Sequence, residues 1–191
     1  MPLQFMEEAE PLAYPDAPSG LSDAAALIAP EIIWQRIEAY IRYRWAERAV
    51  TWIVTGSSYR IGTGDTWRPN LTPFSGLTRE VWDCELEEWV ATTLRQGPLG
   101  ETYLAHKTQY RLKATVGSTD TPPASVLEAY RRLAEYLVDS AAAPSGAKSH
   151  SVDIGQLTES VSLDLNHMGK ALQLSGAADL LRPYRMSGVN S

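Results

Sequence analysis

Residues 110–138 read YRLKATVGSTDTPPASVLEAYRRLAEYLV. The first seven alternate, with Tyr110, Leu112, Ala114 and Val116 set against Arg111, Lys113 and Thr115. A period of two is that of a strand with one apolar and one basic face. Gly117 ends the pattern. Thr121 suits a helix N-cap, and Pro122 suits a first turn, where a missing N–H costs nothing. From there Val126, Tyr130, Leu133 and Leu137 recur at helical spacing, flanked by Ala134 and Val138. Glu128 precedes Arg132 by four residues, and Arg131 precedes Glu135 by four, both modest helix-surface ion pairs. Within thirty residues the chain therefore passes from strand to helix.

Upstream, Ser22 or Asp23 caps a short turn through Leu27. Ile33, Ile37, Tyr40, Ile41, Arg44, Trp45 and Arg48 then predict a helix of roughly five turns from Pro30. Its arginines, Arg36, Arg42, Arg44 and Arg48, read as a solvated basic face. Between Val50 and Gly117 the strand formers Thr51–Thr55 and many glycines and prolines mark strands and turns. Trp82, Cys84 and Leu86 alternate with Val81, Asp83, Glu85 and Glu87, which predicts a strand with an acidic face and a buried thiol at Cys84. Beside the basic strand it would form opposite-charge pairs worth up to ~1 kcal/mol each. Downstream, Ala141 to Gly155 reads as a connection. Leu157, Val161, Leu165, Met168 and Leu172 predict a last helix, which Ser175-Gly176 ends or kinks. The expected fold is mainly α: a small helical bundle with an antiparallel sheet inserted at about 50–117. Residues 1–21 form an extended arm, 22–174 the bundle, and 175–191 a C-terminal tail.

The 191 residues hold 17 bases and 23 acids, a net charge of −6. The first base is Arg36, preceded by Glu7, Glu8, Glu10, Asp16, Asp23 and Glu31, so the excess negative charge lies in the N-terminal arm. This balance argues against wrapping nucleic acid through a basic surface, though a wall past which DNA slides remains compatible. The single cysteine permits no intrachain disulfide and fits a reducing cytoplasm. No apolar run approaches the ~20 residues of a bilayer span, and no secretory signal is expected.

Little in the sequence points to catalysis. His106, His150 and His167 have no second histidine or cysteine at metal-ligand spacing. Gly62-Thr63-Gly64 reads as a turn, and no phosphate loop or nucleophile elbow is present. Asp83, Glu85, Glu87 and Glu88 could hydrolyse a glycoside if they flanked a cleft. Side by side on one strand, they read better as a solvated or ion-paired face. A small carboxylate hydrolase is the remaining enzymatic alternative.

The run from Tyr110 to Gly117, the helix from Thr121 to Tyr136, and Leu174-Ser-Gly-Ala-Ala-Asp-Leu-Leu-Arg-Pro-Tyr-Arg185 together resemble the head–tail connector (adaptor) proteins of long-tailed bacteriophages and gene transfer agents. In that family a strand ending in a Val-Gly-type turn precedes a Pro-started helix, and the C-terminus runs Ser-Gly-Ala, two leucines, Pro, an aromatic and Arg. The match covers 110–136 and 174–185 and is weak over 1–109. It implies a structural virion protein with no enzymatic activity, cofactor or metal. Such proteins form a ring, generally twelvefold, beneath the portal protein, made in the host bacterial cytoplasm and placed at the head–tail interface. The ring extends the DNA channel, which DNA crosses without specific binding, and offers a docking surface to a stopper or tail-terminator protein; no membrane is involved. The resemblance implies portal binding by Leu180, Leu181, Arg182, Pro183, Tyr184 and Arg185. For contacts between ring neighbours, opposite-signed faces suggest Asp83, Glu85 and Glu87 against Arg42, Arg44 or Arg131. A stopper or tail-completion protein of the same neck is the alternative.

Overall fold

The computed structural model describes residues 3–56, 65–98, 100–142, 149–154, 157–162 and 170–185. They fall into two compact units. The first holds the N-terminal segment to Ala13 and Arg42–Asp120, the second Tyr14–Ile41 and Thr121–Arg185.

In the first unit β1 (Leu3–Glu8), β2 (Arg48–Thr55), β4 (Phe74–Asp83), β5 (Glu88–Ala91) and β7 (Gln109–Val116) build a five-stranded sheet. The order is β1-β2-β7-β4-β5, and every neighbouring pair is antiparallel. A separate pair joins β3 (Asp65–Trp67) to β6 (Thr102–Leu104). The alternation read from residues 110–116 is the burial pattern of β7: Tyr110, Leu112, Ala114 and Val116 are buried. They share a core with Val50, Trp52, Val54, Trp67, Leu71 and Leu104. Trp52 and Trp67 meet edge to face at 5.5 Å. Their indole N–H groups donate to Asn70 Oδ1 and Gln4 Oε1 at 2.9 and 3.1 Å, which makes burial of these polar tips affordable.

The second unit holds α1 (Asp23–Ala26), α2 (Pro30–Ile41), α3 (Ala124–Ala142), the hairpin β8 (Ser149–Ile154) and β9 (Leu157–Ser162), α4 (Ala171–Leu174), α5 (Ala177–Leu181) and a 3-10 turn over Arg182–Tyr184. Ser22 caps α1, its hydroxyl accepting from Ala25 N–H. The buried stripe of α3, Val126, Ala129, Tyr130, Leu133 and Ala134, belongs to a core that includes Ile33, Trp34, Ile37 and Leu181. Trp34 lies 5.2 Å from Tyr130 and donates to the Pro15 carbonyl at 2.8 Å.

The expectation of a mainly α fold is overturned. Strand is as abundant as helix, and the sheet has a core of its own. Three local causes account for the difference. First, α2 stops after twelve residues although its apolar spacing continues. Arg42 turns left-handed (φ 60°), and the next backbone groups bond to Thr72 instead of to the preceding turn: Arg44 N–H to Thr72 O at 2.8 Å and Thr72 N–H to Arg42 O at 3.2 Å. Second, the alternation over 81–87 is not one strand. β4 ends at Asp83, whose Oδ1 accepts from the amides of Glu85 and Leu86 at 2.8 and 3.1 Å, a turn that residues of this type favour. Cys84 therefore sits exposed in a hairpin turn, not buried as expected. Third, residues 157–162 pair as a strand with 149–154 instead of starting a helix. Val152, Ile154, Thr158 and Val161 are β-branched and suit that pairing. Leu165, His167 and Met168 of the expected helix lie outside the described residues.

Gly117, which closes β7, has φ +121°. A Cβ there would lie 2.4 Å from the Ala46 carbonyl oxygen and 2.7 Å from Glu47 Cα, both backbone atoms. Gly117→Ala should therefore destabilise the chain by ~2–4 kcal/mol, combining left-hand-side backbone strain with a clash that no rotamer relieves. Equilibrium urea unfolding measures this; a change below the scatter of the method would contradict the close approach.

Candidate interaction surfaces

Among the described residues no group of three or more His, Cys, Asp or Glu could hold a metal ion. The chemistry-bearing side chains lie instead on surfaces of the two units. In the first unit, Glu8 at the end of β1 meets two arginines. Its Oε1 accepts from Arg44 Nε at 2.6 Å and Arg48 Nη1 at 3.0 Å, and its Oε2 from Arg44 Nη2 at 3.0 Å. The side chains are only 20%, 10% and 5% exposed for Glu8, Arg44 and Arg48. Such sheltered charges persist only when paired.

One face of the sheet carries the core, and the other stays accessible. The register Phe5↔Ile53↔Arg111↔Glu80↔Ala91 runs across all five strands on that accessible face. Arg111 and Lys113 both reach Glu80, so the opposite-charge pairing expected of the basic strand exists with Glu80 as the acid. The Arg111 guanidinium, with Lys113 beyond it, holds the Glu80 carboxyl below the usual range. Arg111 also lies 4.7 Å over the ring of Trp89, which meets Trp82 edge to face at 5.3 Å. Phe5 stands 62% exposed on the same face. At the β4–β5 turn, Leu86 is 63% exposed between the exposed Glu85 and Glu87, the latter left-handed at φ 54°.

In the second unit the C-terminal segment divides into anchors and exposed groups. Leu181 is buried, while Leu180 and Tyr184 are half-buried. The Tyr184 hydroxyl is 3.0 Å from Ser125 Oγ, and the Arg185 guanidinium lies 5.2 Å over the Tyr40 ring. Arg182, Pro183 and Arg185 are exposed. Gly176, left-handed at φ 71°, makes the kink that starts this segment.

The six residues 180–185 thus come together as one short structural unit. The proposed charge partners are not brought together in the single chain. Arg44 is engaged by Glu8, and Arg131 by Glu128 at 2.8 Å, whereas Arg42, Glu85 and Glu87 are exposed. Asp83 caps its own turn. Arg132 also pairs with Glu128, as its four-residue spacing led us to expect, and Arg131 with Arg132 holds the Glu128 carboxyl at about 2. Glu135 accepts from the Ser22 amide and hydroxyl at 2.8 and 2.7 Å. Sequence reading missed Glu8, Arg48 as its partner, Glu80 and Phe5. For Glu80 a signal existed, the complementary basic face of β7. The partner acid was misplaced because Asp83 ends β4 in a turn, and Trp82, not Asp83, shares the face of Glu80 and Arg111.

No family model matches the sequence, and no curated protein matches it. Among solved structures, the chain aligns with a chain of "Virion of native gene transfer agent (GTA) particle". The identity is 16%, the alignment covers 89% of this chain and 81% of that one, and the TM-score is 0.48.

Burial alone would raise the Glu8 carboxyl, but its bonds to Arg44 and Arg48 outweigh burial and hold it below the ordinary value. A carboxyl lowered on folding contributes stability at pH above the unfolded value and loses it as pH falls through the folded one. Glu8→Gln should therefore cost ~1–3 kcal/mol at neutral pH, leaving two sheltered guanidiniums short of their anion. In acid, below the ordinary glutamate range, the gap between the two proteins should close. Urea unfolding of both at neutral and acid pH checks this; a gap independent of pH would refute the ionic account.

Proposed function

We propose that this chain is a structural virion protein, the head–tail adaptor that forms a ring beneath the portal and extends the DNA channel toward a stopper or tail-terminator protein. The observation that carries the reading is the run Leu174–Arg185, whose Ser-Gly-Ala, paired leucines and Pro-aromatic-Arg ending resemble the portal-docking end of adaptor proteins. The geometry of this run is compatible with docking. Arg182, Pro183 and Arg185 present two cations and a stiff ring to solvent, while Leu181 and Tyr184 fix the turn on its own unit. Aromatic and arginine side chains are the usual carriers of interface energy, and a pre-ordered turn loses less entropy on binding. In this reading Leu180, Arg182, Pro183, Tyr184 and Arg185 meet the portal, with Leu181 as their internal anchor. Of the charge partners expected between ring neighbours, Arg44 and Arg131 already hold acids of their own chain, and Arg42 lies at the Arg48–Val116 end of the sheet, opposite the β4–β5 turn that carries Glu85 and Glu87.

The five-stranded sheet favours a second reading, a stopper or tail-completion protein of the same neck, since those proteins are mostly β. One experiment separates the two. Cross-linking mass spectrometry on intact particles should join the exposed Lys170 and the C-terminal segment to a portal-like ring protein. Links confined to tail components would favour the stopper or tail-completion reading, and absence of the chain from particles would end both. The reversal R182E should reduce incorporation into particles at least tenfold without changing the melting temperature; unaffected incorporation would remove this arginine from the joint.

A further inference from the structure

The sheet of the first unit has two edges, β1 and β5, and among the described residues no strand pairs with either. The hydrogen-bond phase of each edge can be read from the bonds flanking it. Ala9 N–H donates to the Ala49 carbonyl at 2.9 Å, one step beyond the Glu8↔Val50 register pair. Bonded and non-bonded pairs alternate in an antiparallel ladder. Phe5 and Glu7 therefore spend their amides on β2, and Gln4, Met6 and Glu8 turn theirs outward. At the other edge Thr92 N–H donates to the Arg79 carbonyl at 2.9 Å, one step beyond Glu80↔Ala91. By the same alternation Val90 bonds inward, and Trp89 and Ala91 turn outward.

Because the sheet has five antiparallel strands, β1 and β5 run in the same direction. Two copies related by a head-to-tail rotation, the contact that generates a ring, would set β5 of one parallel to β1 of the next. The phases fit a parallel joint without turning either sheet over. With Met6 opposite Val90 of the neighbour, Met6 N–H reaches the Trp89 carbonyl and Met6 C=O receives the Ala91 N–H. Met6 and Val90 both lie on the core-bearing faces. On the accessible faces Phe5 stands beside Trp89, and Glu7 beside Ala91. Gln4 meets Glu88 and Glu8 meets Thr92, so no like charges are opposed. Native edges are commonly guarded by Lys, Pro or a bulge. β1, Leu-Gln-Phe-Met-Glu-Glu, has no Lys or Pro and exposes Phe5.

We infer that this chain associates with copies of itself by parallel strand addition of β1 onto β5, with Phe5 packing beside the neighbour's Trp89. The inference rests on the ring of the proposed function and supplies its subunit contact, independently of the portal. The competing arrangement on the page is a two-fold β1–β1 pair, in which Met6 opposes Met6 and Phe5 opposes Glu7. It closes at two copies and leaves β5 open.

Directly opposed Cα atoms on paired strands lie ~5 Å apart, within disulfide reach. The full-length chain carrying C84S, F5C and W89C should, on oxidation, give a reducible ladder running beyond the dimer. An equal mixture of the C84S/F5C and C84S/W89C chains should give mainly mixed dimers. Since Trp89 supports the Trp82–Arg111 stack, a second variant leaves it intact. Ala91→Pro removes an outward N–H that β4 does not use, so it should leave the melting temperature unchanged while abolishing association in sedimentation velocity. A C84S/F5C/E7C chain that yields disulfide dimers, or oligomers that persist in A91P, would overturn the joint and leave the ring and its portal contact standing. A chain that remains monomeric at its highest attainable concentration would overturn the joint and the self-assembled ring together.

Discussion

The pairing of Glu8 with Arg44 and Arg48 sets the course of the first unit. It ties three separate segments together: the end of β1, the chain just after α2, and the first residue of β2. Two guanidiniums in sheltered positions need an anion, and Glu8 supplies one to both. Once Arg44 and Arg48 turn toward that carboxylate they are no longer available as the solvated face of a helix. The chain leaves its helical path at Arg42 and enters β2 instead. The same contact registers β1 against β2, since Glu8 opposes Val50 two residues beyond Arg48.

With β1 in place, the sheet acquires two unlike faces. On one, the aromatic and aliphatic side chains of β2 and β7 close over Trp67, Leu71 and Leu104. On the other, charge and aromatic area are interleaved: Glu80 sits between Arg111 and Lys113, and Arg111 continues over Trp89 onto Trp82. A lattice of this kind fixes the χ angles of long side chains before any partner arrives, and so lowers the entropy that a contact on that face must spend. Tryptophan and arginine held in this way keep both apolar area and hydrogen-bonding capacity at one site.

The stretch around residues 110–138 was legible because its signals are local. The alternation of β7 and the 3.6-residue stripe of α3 each lie within one element, and both elements formed where the spacing placed them. What could not be read depended on partners distant in sequence. Nothing in the spacing of residues 33–48 reveals that Arg44 and Arg48 answer to Glu8, about forty positions earlier. The alternation over 81–87 had the right period, but Asp83 folds its carboxylate onto the next amides and converts the strand into a turn. The leucines and valine from 157 onward fit both a helical stripe and the alternation of a strand over six residues, and short apolar runs do not decide between them. The acid that pairs with the basic face of β7 was misassigned because the alternation over 81–87 put Asp83 on that face, whereas the pairing sets Glu80 and Trp82 there.

The C-terminal segment follows a different logic from the sheet. Its six residues are too few to hold a conformation alone, since a single helical turn cannot repay the entropy of fixing it. Stability comes from contacts made at its two ends and its middle: Gly176 supplies the left-handed start, Leu181 enters the core, and Tyr184 and Arg185 engage Ser125 and Tyr40. Pro183 removes backbone freedom between the last two of these. The exposed Arg182 and the outer face of Arg185 are thereby held in fixed positions by neighbours that are themselves buried or half-buried. A surface assembled in this way has its geometry set by the packing beneath it, so substitutions at Leu181 or Ser125 act on the same surface as substitutions at the arginines.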